Sequence, residues 1–169
     1  HSLDATCGAF QRTLARKWPI AARGRQEIIS MPDRKTIRRA RKDARAGKAP
    51  STQAGEFVRA EIDKIRHGEH GVRSTKQAIA IGLSEARRAG VKLRPPAKGK
   101  TSEKTRKSAQ SAYRKGRRHE PISAKRSRAR MKALKREPRG PVSHAALSRQ
   151  AKSVARGRGA RSRSASAHK

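Results

Sequence analysis

"RSTKQAIAIGLSEARRAG", residues 73–90, decides how this chain folds. Ala78, Ile79, Gly82, Leu83, Ala86 and Ala89 recur at helical spacing and form one broad apolar face. At about 100° per residue Ile81 points to the other side, so this helix reads as covered on more than one face. Ser74 with Gln77 three residues later makes a capping-box start. At the other end Gly90 suits a left-handed stop, with Val91 folding back onto the helix.

Working outward, "STQAGEFVRAEIDKIRHG", residues 51–68, carries Ala54, Phe57, Val58, Ile62 and Ile65 at helical spacing, with Ser51 or Thr52 as the expected cap and Gly68 as terminator. "DRKTIRRARKDARA", residues 33–46, has only a thin stripe of Ile37, Ala40 and Ala44 before Gly47. Arg34, Lys35, Arg38, Arg39, Arg41 and Lys42 cover most of its remaining surface, which suits a helix lying along phosphates.

Charge divides the chain. Its 169 residues hold 46 Lys and Arg against 12 Asp and Glu, a formal net charge of +34. Residues 51–93 carry eight cations and five acids, whereas residues 101–169 carry 22 cations and three acids. The centre therefore reads as a domain and the tail as a counter-ion for a polyanion. Between them, "LRPPAKGKTSEKT", residues 93–105, has Pro95 and Pro96 to block helix continuation and the Gly, Thr and Ser of a linker. The fold class expected is mainly α: a small three-helix domain over 31–93, a linker over 94–101, and a Lys/Arg/Ala-rich tail over 102–169 that is partly disordered and helical once phosphates neutralise it. Truncation after Pro96 is expected to leave the helical centre folded. Aliphatic content is low, so the small domain should be marginal alone and is expected to gain stability either from nucleic acid or from a homodimer in which Ile81 meets a second copy.

The tail has a loose threefold organisation: "SEKTRKSAQSAYRKGRR" at 102–118, "SAKRSRARMKALKRE" at 123–137 and "SHAALSRQAKSVAR" at 143–156, separated by "HEP" and "PRGP". Its expected phosphate contacts are Arg114, Lys115, Arg117 and Arg118 in the first segment, and Lys125, Arg126, Arg128, Arg130, Lys132, Lys135 and Arg136 in the second. Arg156, Arg158, Arg161 and Arg163 continue the series, and "RGRGARSRSASAHK" is expected to stay disordered. The rims of residues 73–90, namely Arg73, Lys76, Arg87 and Arg88, are further candidates for touching phosphates.

Residues 1–30 differ in character, with Cys7, Phe10 and Trp18 but no sustained periodicity. "QEIIS" before Met31 can be back-translated to place an AGGAG ribosome-binding sequence three codons upstream of an ATG, so Met31 is the expected natural start and residues 1–30 read-through or an extension. A single Cys leaves no internal disulfide and favours a reducing compartment. No segment approaches the roughly 20 apolar residues that span a bilayer, and no membrane association is expected.

At residues 49–93 the motifs "STQAGEFV" and "STKQAIAIGLS" resemble a family of small basic bacterial proteins catalogued as a domain of unknown function, whose members are labelled DNA-binding or plasmid-stabilisation proteins. The resemblance begins near Met31 and continues weakly through "SRARMKALKRE" and "HAALSRQAKS". It implies a DNA-binding role in the bacterial cytoplasm, at the nucleoid, and carries over no catalytic residue.

Other chemistry is thin. "HGEH" sets His67 and His70 three apart, but the glycines beside them break the helix a His-Glu zinc motif requires. Cys7 has no nearby His partner. No base-reading helix is evident, because the connection from Gly68 to Arg73 exceeds the tight turn of a helix-turn-helix, and the tail's one aromatic, Tyr113, gives little for stacking on single strands. The function expected is non-enzymatic, largely sequence-nonspecific DNA binding of histone-like type, with no cofactor and no metal. RNA or ribosome association, and a protein-interaction module with a localising tail, are the alternatives.

Overall fold

Ser74 starts the central helix as expected: its Oγ accepts from Gln77 N–H at 3.2 Å. The Gln77 side chain reaches back one residue further than a standard capping box, accepting from Arg73 N–H at 2.9 Å. At the far end Gly90 takes φ +92°, Gly90 N–H donates to Arg87 C=O and Val91 N–H to Ala86 C=O, which together form a Schellman stop. In the computed structural model, which describes residues 32–157, this helix is the third of six. They are α1 Arg34–Arg45, α2 Pro50–Arg66, α3 Thr75–Arg88, α4 Glu103–Arg117, α5 Ala124–Leu134 and α6 His144–Gly157, with a 3₁₀ turn over Gly140–Val142. No strand occurs among the described residues, and no helix there is long and apolar enough to cross a membrane.

α2 begins earlier than its composition suggests. Pro50 occupies the first turn, where its missing N–H costs nothing, and Ala49 rather than Ser51 or Thr52 is the N-cap. α1 is capped by Asp33, whose side chain accepts from Lys35 N–H at 3.1 Å. On its inner stripe Ala40 is buried and Ile37 half-buried, whereas Ala44 is exposed and Thr36 takes a buried place.

Two apolar clusters hold the helices together. In the first, Ala40 of α1, Ala54 and Phe57 of α2 and Ala86 of α3 are buried, with Leu83, Val91 and Leu93 packed against them. Phe57, 1 % exposed, is its largest member. α2 and α3 approach so closely that a Cβ at Gly82 would come within 2.6 Å of Val58 Cα. The second cluster joins Ile65, Val72, Ala78 and Ile81 to Leu134 and Val142, two residues from the basic tail.

That second cluster reaches across residue 93 into the basic segment. Residues 134–142 are stitched onto the α2–α3 connection: Gly71 N–H donates to Leu134 C=O at 3.0 Å and Val72 N–H to Pro138 C=O at 2.8 Å. Thr75 Oγ1 donates to Pro141 C=O at 2.6 Å, and the Arg66 guanidinium to Val142 C=O at 3.2 Å. α4 also docks on α3, through the small residues Ala109, Ala112 and Gly116, with Gly116 lying against the Arg87 carbonyl. α4 and residues 134–142 thus pack on the same core as α2 and α3.

Ile81, expected to face a second copy, is 6 % exposed and buried by Leu134 and Val142 of its own chain. This face therefore has an intramolecular cover. α6 lies over α2 and α3 more loosely, with Leu147 beside Val58 and Ile62, no buried residue of its own, and Val154 42 % exposed. Residues 1–31, which include Cys7, Phe10, Trp18 and the expected start Met31, lie outside the described residues.

Leu134→Ala is expected to destabilise the full-length protein by about 2–4 kcal/mol, whereas Lys132→Ala, on the exposed side of the same helix, should stay within about 0.5 kcal/mol. Chemical denaturation followed by circular dichroism checks both. Truncation after Pro96 should broaden and lower the melting transition, since it uncovers Ile65, Val72 and Ile81.

Candidate nucleic-acid interface

Helix geometry decides which cations reach solvent. On α1 the inward stripe of Thr36 and Ala40 leaves Arg34, Lys35, Arg38, Arg39, Arg41 and Lys42 exposed. Only Arg39 among them has a carboxylate in reach, Glu56 at 4.0 Å. α5 touches the core chiefly through Leu134 at its last turn, so Lys125, Arg126, Arg128, Arg130 and Lys132 are all exposed, as are Lys135 and Arg136 just beyond it. None of these α5 cations makes an ion pair among the described residues. At the end of α4, Arg114, Arg117 and Arg118 are exposed and Lys115 is half-buried. Lys115 and Arg118 share Glu120 at 4.0 and 3.8 Å. Arg156 is exposed on α6, and Arg158, Arg161 and Arg163 lie outside the described residues.

Two cations of the α3 rims are engaged within the fold. Arg87 is 7 % exposed; its Nε donates to Leu93 C=O at 3.2 Å, and burial lowers its pKa. Arg73 is exposed but held by Glu137, Nε to Oε1 at 2.7 Å. Lys76 is exposed and Arg88 half-buried.

Several acids are engaged within the fold. Asp43 pairs with Lys48 at 2.7 Å, Glu103 with Arg106 at 3.0 Å, and Glu137 with Arg73. Two further carboxylates sit inside the helical layers: Glu61 is 1 % and Glu85 8 % exposed. Glu61 Oε1 lies 3.4 Å from Nε2 of the buried His70, a contact that becomes an ion pair when the imidazole is protonated. The Glu61 carboxylate raises the His70 pKa; burial works against it, and the Gly71 carbonyl, 3.2 Å from Nδ1, assists. Glu85 is raised by burial and pulled back by Lys64, whose Nζ is 3.9 Å from Oε2.

The sequence carried a signal for these acids that the charge count missed. Glu61 lies on the stripe between Phe57 and Ile65 at i, i+4 spacing, and Glu85 continues the buried row of Ala78, Ile81 and Gly82. His67 and His70 do not converge: His67 Nδ1 is 2.7 Å from Asp63 C=O, while His70 is turned inward to Glu61. Among the described residues no group of three His, Cys, Asp or Glu is placed to hold a metal.

Residues 45–98, under half of the chain, match a protein family of unknown function, DUF6496. The match spans α2, α3 and the start of the linker and carries no activity with it. No curated protein and no solved structure matches the chain.

A raised His70 pKa means the folded state holds the proton more tightly than the unfolded one, so its contribution is fully present below the ordinary value of 6.5 and is lost as pH rises through the folded value. Stability of the wild type is therefore expected to fall from about pH 6.5 upward, with that component absent in His70→Gln. Urea denaturation of both proteins across this range measures the difference.

Proposed function

We propose that this protein binds nucleic acid, duplex DNA foremost, without catalysis and with little sequence preference, as a histone-like, nucleoid-associated protein. The observation that carries this reading is the charge economy of the fold. Of the described acids, Glu61 and Glu85 are turned inward and Asp43, Glu103 and Glu137 are held in local pairs, while the cations of α1 and α5 stand in solvent almost without carboxylate partners. Such a surface repels itself until a polyanion or salt neutralises it.

Binding then proceeds by release of counter-ions condensed on the phosphates, with Arg34, Lys35, Arg38, Arg41, Lys42 and the α5 cations as the contacts. Regular helical spacing holds these groups on firm elements, which sets where phosphates sit without reading bases. Low specificity follows from the residue types: exposed Lys and Arg abound, and Tyr113, the single aromatic of residues 94–157, is half-buried against α3 and so removed from stacking.

Replacing Arg34, Lys35, Arg38 and Arg41 together by Gln is expected to weaken duplex binding evenly across sequences. The log–log salt slope should fall by about 0.9 for each phosphate that is no longer neutralised. Fluorescence anisotropy over a salt series, with structured RNA as competitor, checks this. A strong RNA preference would move the reading from the nucleoid to RNA or the ribosome, and binding insensitive to salt would overturn it.

A further inference from the structure

Pro121 and His119 set up the geometry that matters. His119 adopts φ +51° after α4, with His119 N–H donating to Gly116 C=O and Glu120 N–H to Lys115 C=O, a Schellman turn made without glycine. The chain then reverses through Pro121 and Ile122 into Ser123, which starts α5 without a side-chain capping bond. This sets the first two turns of α5 facing the ends of α3 and α4 across an open cleft of about 320 Å³.

Four cations from three helices line it: Arg88 of α3, Lys115 of α4, and Arg126 and Arg130 of α5. Arg88, Arg126 and Arg130 make no ion pair among the described residues, and Lys115 has only Glu120 at 4.0 Å. Glu85 is the one acid on the wall; its carboxylate is 3.9 Å from Lys64, which lies outside the cleft, and is also attracted by Arg130. Four like charges converging on a concave surface focus a positive potential that one partly engaged acid does not cancel. The rest of the wall includes Ile122, apolar surface that an ion alone would leave uncovered.

We propose that this cleft takes a single phosphate-bearing nucleotide unit, the phosphate held by Arg88, Arg126 and Arg130 and the sugar and base lying along the Ile122 wall. A cleft of this size falls at the lower end of small-molecule pockets, and guanidinium forks match phosphate oxygens in pairs. The choice of ligand class rests on the nucleic-acid reading above. The site differs from the exposed helix surfaces in being concave and saturable, and its ligand is either a free nucleotide or one unpaired nucleotide of a strand.

The test uses the full chain and fluorescently labelled AMP. Saturable binding is expected, and Arg126→Gln with Arg130→Gln should weaken it at least about tenfold, as loss of charge-assisted bonds does. Arg149→Gln with Lys152→Gln removes the same charge from exposed positions of α6 outside the cleft and should leave binding within about twofold. Arg88→Gln, on another helix, is a second lesion that should also weaken it. Unlabelled adenosine, which lacks the phosphate, should fail to displace the probe. Absence of saturable binding, equal loss in both double variants, or displacement by adenosine would overturn the assignment. Displacement by a single-stranded oligonucleotide would place the nucleotide in a strand, and its failure would make the ligand free; both keep the site. Duplex binding measured in parallel separates the two readings: duplex bound without AMP defeats the cleft alone, and AMP bound without duplex defeats the nucleic-acid surface alone.

Discussion

The seam between residues 134–142 and the α2–α3 connection is the contact on which the rest of the structure depends. It pairs backbone with backbone at Gly71 and Val72, and seats Leu134 and Val142 over Ile65, Val72 and Ile81. Gly71 is required there, because a Cβ would run into the Glu137 carbonyl. Both aliphatic faces of α3 are covered by this means, one by α2 and one by the tail, which is how so basic a chain assembles a core without a second copy.

Function follows from what that core leaves outside. Helices with a single narrow inward stripe must place their remaining residues in solvent, and in α1 and α5 those residues are Lys and Arg. Glu61 and Glu85, by contrast, sit at positions of the buried rows, and Asp43 and Glu137 lie beside a local cation, so few carboxylates face the exposed Lys and Arg. The α3–α4–α5 cleft is a product of the same docking. It forms only because α4 lies tight on α3 through Ala109, Ala112 and Gly116, and α5 turns back at Pro121.

Much of this was legible in the residues. Ser74 and Gly90 mark both ends of α3, and Phe57, Ile65 and Ala86 fall where their spacing puts them. The exposed cations of α1 and α5 were also readable, since residues off the apolar stripe have nowhere else to go. What could not be read was long-range. Leu134 and Val142 are lone aliphatics in a polar stretch, and nothing local says that they complete a cluster around Ile81 more than fifty residues away. Hence Ile81 looked uncovered within its own chain. Arg87 shows the same limit: by composition it is one more surface cation, but the docking of α4 buries it against the Leu93 carbonyl. The cleft is invisible for the same reason, since Arg88, Lys115 and Arg130 are brought together only by packing.

The central claim is that α5 and the turn after it are folded onto α3 before any polyanion arrives. Native-state amide hydrogen exchange of the full-length protein, free of nucleic acid at physiological salt, tests it directly. The account predicts that the amides of Gly71, Val72 and the α5 helix are protected together with those of α3, and that added duplex DNA changes this little. Coil-like exchange throughout α5, Gly71 and Val72 until DNA is added, with α3 already protected, would contradict it.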